Sequence, residues 1–377
     1  GTYHQEGFYT LNVYALDEDK NVVTSTTTKI DAVRLRGNIA LVSTAGEGDT
    51  AHWFDNWMGA GSKLRERTDR EFGPVLFASY TLNIDTLTLN SQYPPLCTDD
   101  MADPTLEVLQ QGAWNPLSSA TIDPESFTAR FVVNNWDAAN SYQYRVVTPA
   151  RTDTDTDSYF HGVVQKDPVT EAEVIIGLYN CRPGLTNSAT EGWIQQNFND
   201  PFTWTRDRIV FPHEELINNS LEHDPHLVAF VGDQIYEFDP NGLVETELPD
   251  MMTDYLWKWF QFGWSARELM RNTPSFVLPD DHDVYQGNIW GQSGVRAENE
   301  EDGGYVYPAS FVNMVQRTQA GSLPDPIDGA PVNQGINVYF TSLTYGGVGI
   351  AVLEDRKFKT GPFTALEDQQ LLGERQH

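Results

Sequence analysis

Two changes of pattern along the chain predict a mixed α/β fold of layered, α+β type. Residues 1–170 run as short segments of alternating apolar and polar residues between turn-rich stretches, as strands with one buried face do. From residue 171, continuous apolar runs alternate with segments of helical spacing, the pattern of a layered α/β domain. A third observation places the chemistry: two of the later apolar runs end in crowded carboxylates.

In chain order, FYTLNVYAL, VLFASYTLNIDTLTL, FTARFVV and YQYRVV are the clearest strand signals of the first half. The last two, joined by NNWDAANS, read as adjacent antiparallel strands of an immunoglobulin-like or fibronectin-like sandwich. The single helical candidate there covers residues 106–111, and the run RTDTDTD at 151–157 reads as a polar edge or linker. The expected division is a β-rich extension over 1–75, a β-sandwich over 76–170 and an α/β domain over 171–377. Within the last, strand VIIGLYN precedes a helix at 214–220, strand LVAFVG, a long helix at 250–271 and strand FVLPD. Leu256, Trp259, Phe260 and Trp264 are spaced to share the buried face of the long helix. A loop region rich in Gly, Asn and Glu, with a helix at 309–316, then covers the crevice before strands VYFTSL and GVGIAVLED.

With 377 residues, 40% hydrophobic and 12% aromatic, the chain can bury a large core. Its net charge of -30, with seven lysines among 24 basic residues, argues against nucleic acid or an anionic membrane as partner, because both require a positive patch. The acidity fits an extracellular, periplasmic or cell-surface setting, and it reads as a solvated surface serving solubility rather than as a surface for recognition. No apolar run reaches the length of a membrane span, and the opening Gly1-Thr2-Tyr3-His4 is no leader, so any secretion signal is expected to have been removed. Two cysteines, Cys97 and Cys181, allow at most one internal disulfide.

The chemistry concentrates at strand ends. LVAFV stops at Gly232 and Asp233, and FVL stops at Pro279 before Asp280, Asp281, His282 and Asp283. Ligands at the carboxyl ends of neighbouring strands converge on one crevice. Cys181 ends a third apolar run; alone it reads as a buried free thiol, and beside the other two as a thiolate ligand. A Cys, several Asp, a His and a Tyr together describe a mixed metal site, since carboxylates suit hard cations while thiolate, phenolate and imidazole suit transition metals. Two cations in such a crevice suit phosphoryl transfer, and they invert a field that would otherwise repel a phosphate ester. Each residue has a plainer alternative: Asp233 and Asp280 as turn or cap residues, His282 as a structural hydrogen-bonding group, Tyr236 as core, Arg356 as an ion-pair partner. His223 and His226 precede the strand leading to Asp233 and read as turn residues at its opposite end.

The set YNCRPG, FVGDQIYE, LPDDHDVYQGN and AVLEDRKFKTGP, in that order, resembles the alkaline phosphatase D (PhoD-like) branch of the calcineurin-like metallophosphoesterases over residues 120–377. The resemblance implies a metallophosphoesterase-type β-sheet sandwich flanked by helices, with Fe3+ and Ca2+, or Zn2+ or Mn2+, as cofactors. It implies that Asp233 bridges two metals, that Tyr236 and Cys181 bind iron, and that Asp281 is a further ligand. His282 would protonate the leaving group or stabilise the transition state, and Asp280 would orient it or share the metal shell. Arg356 would bind phosphate or buttress the ligand loop, with Asp355 holding it; Asn288 and Arg182 are further substrate-binding candidates.

The family supplies additional imidazole ligands from a later segment, and this sequence ends at LLGERQH. A second polypeptide or a further C-terminal segment is therefore expected to complete the fold. Two functions follow as expectations: a secreted metal-dependent phosphoesterase acting on phosphomonoesters or phosphodiesters, or an extracellular assembly protein that reuses the scaffold.

Overall fold

The computed structural model describes residues 2–4, 7–17, 19–31, 61, 73–97, 101–150, 156–181, 213–238 and 247–377. The chain divides into two compact units, Gly1–Arg67 and Thr68–His377. In the first, strands β1 (Thr2–His4), β2 (Phe8–Leu16) and β3 (Val22–Asp31) form one antiparallel sheet. Alternation and β-branched residues make these strands, but none of their described side chains is buried. Val13, Tyr14, Leu16, Val22 and Val23 all stand exposed.

The second unit begins with seven strands: β4 (Phe77–Asn83), β5 (Thr86–Gln92), β6 (Thr105–Gln110), β7 (Ala113–Ser119), β8 (Thr128–Asn134), β9 (Tyr142–Thr148) and β10 (Ser158–Val164). They form two antiparallel sheets, ordered β4-β5-β8 and β10-β9-β6-β7. Tyr80, Leu82, Leu89 and Phe131 from one sheet share a buried cluster with Leu106, Val108, Tyr144, Val146 and Phe160 from the other. Of residues 106–111, expected to be helical, 106–110 belong to β6 instead and Gln111 to the turn that follows, because Leu106 and Val108 alternate into that cluster at period two. The expected hairpin of FTARFVV with YQYRVV does not form either. Strand β8 pairs with β5 while β9 pairs with β6 and β10, so the connection carrying buried Trp136 crosses between sheets. The linker residues 151–155 lie outside the described residues.

A parallel sheet follows, built from β11 (Ile176–Tyr179), β12 (Leu227–Val231) and β13 (Ser275–Leu278) in that order. Helix α1 (Glu214–Glu222) precedes β12, α2 (Leu248–Met270) precedes β13, and α3 (Ala309–Gln319) follows it. The hairpin of β14 (Thr341–Tyr345) and β15 (Val348–Val352) and the single turn α4 (Asp355–Phe358) come next, and short 3-10 turns at Leu366–Asp368 and Glu374–Gln376 follow them. Among the described residues the fold is thus mixed α and β, and no helix is long and apolar enough to cross a membrane.

Both faces of the central strands are covered, which is why they read as unbroken apolar runs. Leu227, Ala229 and Phe276 join the cluster shared with the two antiparallel sheets. Val228, Phe230 and Val277 face the opposite way, into a second cluster with Tyr255, Trp259 and Phe262 of α2 and Phe311 of α3. Of the four residues expected on the inner face of α2, Leu256 and Trp259 are buried but Phe260 and Trp264 are only half-buried, because the face is rotated toward Tyr255 and Phe262. Strand β11 also departs from expectation. Ile176 and Leu178 are exposed, and only Tyr179 packs inward, stacked 5.2 Å from Phe230.

Candidate metal centre

The three parallel strands deliver their carboxyl ends side by side. Cys181 N donates to Gly232 O at 3.1 Å and Asn180 Nδ2 to Val231 O at 2.8 Å, tying the exit of β11 to that of β12. Gly232 has φ of +107°, and a Cβ there would stand 2.6 Å from the Cβ of Asp280. Glycine is required for that approach of the two loops. Cys181 and Asp233 both adopt left-handed backbone, with φ of 52° and 54°. Such conformations cost about 1 kcal/mol or more apiece and gather at functional sites.

Asp233 is 7% exposed. Its Oδ2 accepts from Cys181 Sγ at 3.4 Å and from Tyr236 Oη at 3.3 Å. Its Oδ1 is buried and has no hydrogen-bond partner among the described residues. Burial raises the Cys181 thiol and the Tyr236 phenol above their usual ranges, and the Asp233 charge raises both further. Without a cation, both groups therefore keep their protons and donate them to Asp233.

The second loop leaves β13 at Pro279 and turns through a short 3-10 helix, His282–Val284. Asp281 caps that turn, its Oδ1 accepting from His282 N at 3.0 Å. Arg356, on α4, grips Asp280 with both edges of its guanidinium, Nε to Oδ1 at 2.5 Å and Nη2 to Oδ2 at 3.4 Å, while Nη1 reaches Asp281 Oδ2 at 3.2 Å. Burial pushes both carboxyls up and the Arg356 charge opposes it. Arg356 has the geometry of a buttress for the ligand loop. Asp355, expected to hold it, is exposed, and the guanidinium goes to Asp280 and Asp281 instead.

His282 is oriented by a residue the motifs did not single out. Its Nδ1 lies 2.7 Å from Oε2 of Glu237, which is almost fully buried. Asp280, expected in that role, is committed to Arg356. Burial alone would lower the His282 pKa, but the hydrogen bond and charge of Glu237, with Asp233 and Asp281, outweigh it and raise it to about 9. The Tyr236 ring lies 4.6 Å from the imidazole. Behind Glu237, the ammonium of Lys258 donates to the Glu237 carbonyl and to Asp254 Oδ2, each at 2.6 Å, and Tyr285 Oη donates to the same Asp254 oxygen at 2.6 Å. The signal for Glu237 was present in FVGDQIYE, four residues after Asp233, but its partner lies 45 positions away.

Ligand atoms of Asp233, Asp281 and His282 all lie within 4.8 Å of one another, a group that can hold a metal ion. The donor set fits one: an unpartnered buried carboxylate oxygen, a second carboxylate, an imidazole, and a thiol and a phenol already turned toward Asp233. Cys181 is exposed, not the buried thiol of the plainer reading, and Tyr236 is half-buried rather than core. Asn288 is exposed beside the His282 turn, and its carbonyl accepts from Gln286 Nε2 at 3.4 Å. Arg182 lies outside the described residues. His226 sits at the opposite end of the sheet, where its Nδ1 accepts from Ile175 N at 3.0 Å. No model of a known protein family matches the chain, and no curated protein matches it.

Proposed function

We propose that this protein is a secreted metal-dependent phosphoesterase with the PhoD-like metallophosphoesterase architecture, preceded by an immunoglobulin-like or fibronectin-like sandwich. The observation that carries this reading is the buried Oδ1 of Asp233, unpartnered among the described residues, beside Asp281 and His282. An unsatisfied buried carboxylate oxygen is strongly unfavourable unless a ligand completes it. Cys181, Asp233 and Tyr236 would hold a ferric ion, and Asp281 with Asp233 a second cation such as Ca2+. Cations held there would supply Lewis acidity, making water nucleophilic near neutral pH and drawing charge from phosphate oxygens.

The remaining chemistry belongs to the chain. Glu237 fixes Nδ1 of His282, so in this scheme Nε2 donates to the leaving oxygen, and the cations are held by Cys181, Asp233, Tyr236 and Asp281 rather than by the imidazole. Arg356 keeps Asp280 and Asp281 in place by a bidentate grip. Lys258 pins the Glu237 backbone, so the donor is held from behind. Phosphomonoesters and phosphodiesters are both accommodated by this scheme.

The test is elemental analysis of natively purified protein, followed by turnover of aryl phosphomonoesters and phosphodiesters before and after chelation. About two metals per chain and turnover restored by readdition support the reading. Metal-free protein with no turnover in any metal defeats it. The assembly reading draws on the exposed Val13, Tyr14, Val22 and Val23 of the first unit, and ordered polymers without turnover would favour it.

A further inference from the structure

Resting on the metal site proposed above, we infer that Asp283 is the positioning residue that sets the separation of the two ligand loops. Asp283 is completely buried, and both of its oxygens are engaged. Oδ2 accepts from the backbone N of Asp233 at 2.8 Å and from the backbone N of Asp280 at 2.9 Å. One atom thus receives one N–H from each loop. Oδ1 accepts from Ile235 N at 3.1 Å and from Gln319 Nε2 at 2.9 Å.

These backbone N–H groups have left the strands, so the sheet no longer supplies their acceptors. Buried N–H groups must find acceptors, and only a carboxylate offers enough lone pairs for four converging donors. Asp283 is itself held: the same Gln319 amide donates to Tyr255 Oη at 3.1 Å, which lies 2.7 Å from Thr318 Oγ1. Helices α2 and α3 therefore anchor the clamp, and the clamp anchors the loops. The side chain presents no free oxygen to a ligand, which separates it from Asp233. In the run Asp280, Asp281, His282 and Asp283, the fourth residue faces inward to hold the other three.

The experiment compares full-length wild type with Asp283→Asn and Asp283→Ala by amide hydrogen exchange of the metal-free protein and by Mn2+ calorimetry with the electron paramagnetic resonance spectrum of the bound ion. Asp283→Ala is expected to speed exchange at Asp233, Ile235 and Asp280 by about tenfold or more, while Phe230 and Val277 keep wild-type protection. Mn2+ affinity falls by a similar factor and the spectrum changes shape. Asp283→Asn falls between, because its one oxygen can keep the link from Asp233 N to Asp280 N. Unchanged exchange at those three amides, or an equal rise across β12 and β13, overturns the inference. If the alanine variant does not fold, Asp283→Asn and Gln319→Met carry the same comparison, each expected to loosen Ile235 more than Phe230. A wild type that binds no Mn2+ would sink the metal reading, and the exchange pattern would then decide the clamp by itself.

Discussion

The two ends of the parallel sheet use the same strands in the same register for opposite purposes. At the amino end, polar groups satisfy one another: His226 N donates to Ile175 O at 2.9 Å, and Ile175 N returns a bond to His226 Nδ1 at 3.0 Å. At the carboxyl end, two residues adopt left-handed backbone and Asp233 keeps a buried oxygen without a partner among the described residues. Histidine and aspartate near a strand are thus not informative by identity. What distinguishes a structural group from a ligand is whether the surrounding chain has already used its polar atoms.

The largest break in that contrast is Asp233→Asn. It is expected to lower metal affinity and phosphoester turnover by at least about a thousandfold, while leaving the metal-free protein no less stable by thermal unfolding, since a buried charge lacking a full partner set is removed. A clear loss of stability in the metal-free protein would mean that Asp233 is structural.

Glu237→Gln comes next, with turnover down about a hundredfold. Its second readout is an NMR titration of His282 in the metal-free protein, where the pKa should fall from about 9 toward its ordinary 6.5. The folded pKa of wild type lies above the unfolded one. The pair therefore contributes stability that is full below about 6.5 and lost as pH rises through about 9. That slope should flatten in Glu237→Gln.

Arg356→Lys keeps the charge but loses the bidentate grip on Asp280, so turnover and metal affinity should drop about tenfold. Equal kinetics would show that charge alone suffices. The smallest effect belongs to the amino end: His226→Ala should cost about 1 kcal/mol of stability and leave metal binding unchanged.

Much of the site was legible because its residues lie next to strand ends in the chain. Asp233 follows LVAFV and Asp281 follows FVL, so apolar runs pointed at them directly. Glu237 and Asp283 were visible but unassignable. The first acts on His282 and the second on Asp233 and Ile235, pairings that depend on two loops meeting across 45 to 50 positions. The strand pairing of β8 and β9 is not legible for a related reason: neighbours in sequence need not be neighbours in a sheet, and each strand turns its apolar face to a common core from its own side. Residues 106–111 gave too short a window to separate period two from helical spacing, and burial of Leu106 and Val108 decided it.

By itself, the sequence determined where the central apolar strands and the long helix lie, that the chain is acidic, and which strand ends are loaded with metal-type donors. Those are properties of local patterning and composition, readable one segment at a time. Only the tertiary structure decided which sheet each strand joins, that Glu237 rather than Asp280 orients His282, that Arg356 binds carboxylates, and that Asp283 is saturated while Asp233 is not. These are properties of hydrogen-bond satisfaction, and whether a buried oxygen has found its donors depends on atoms that approach only when the chain has folded.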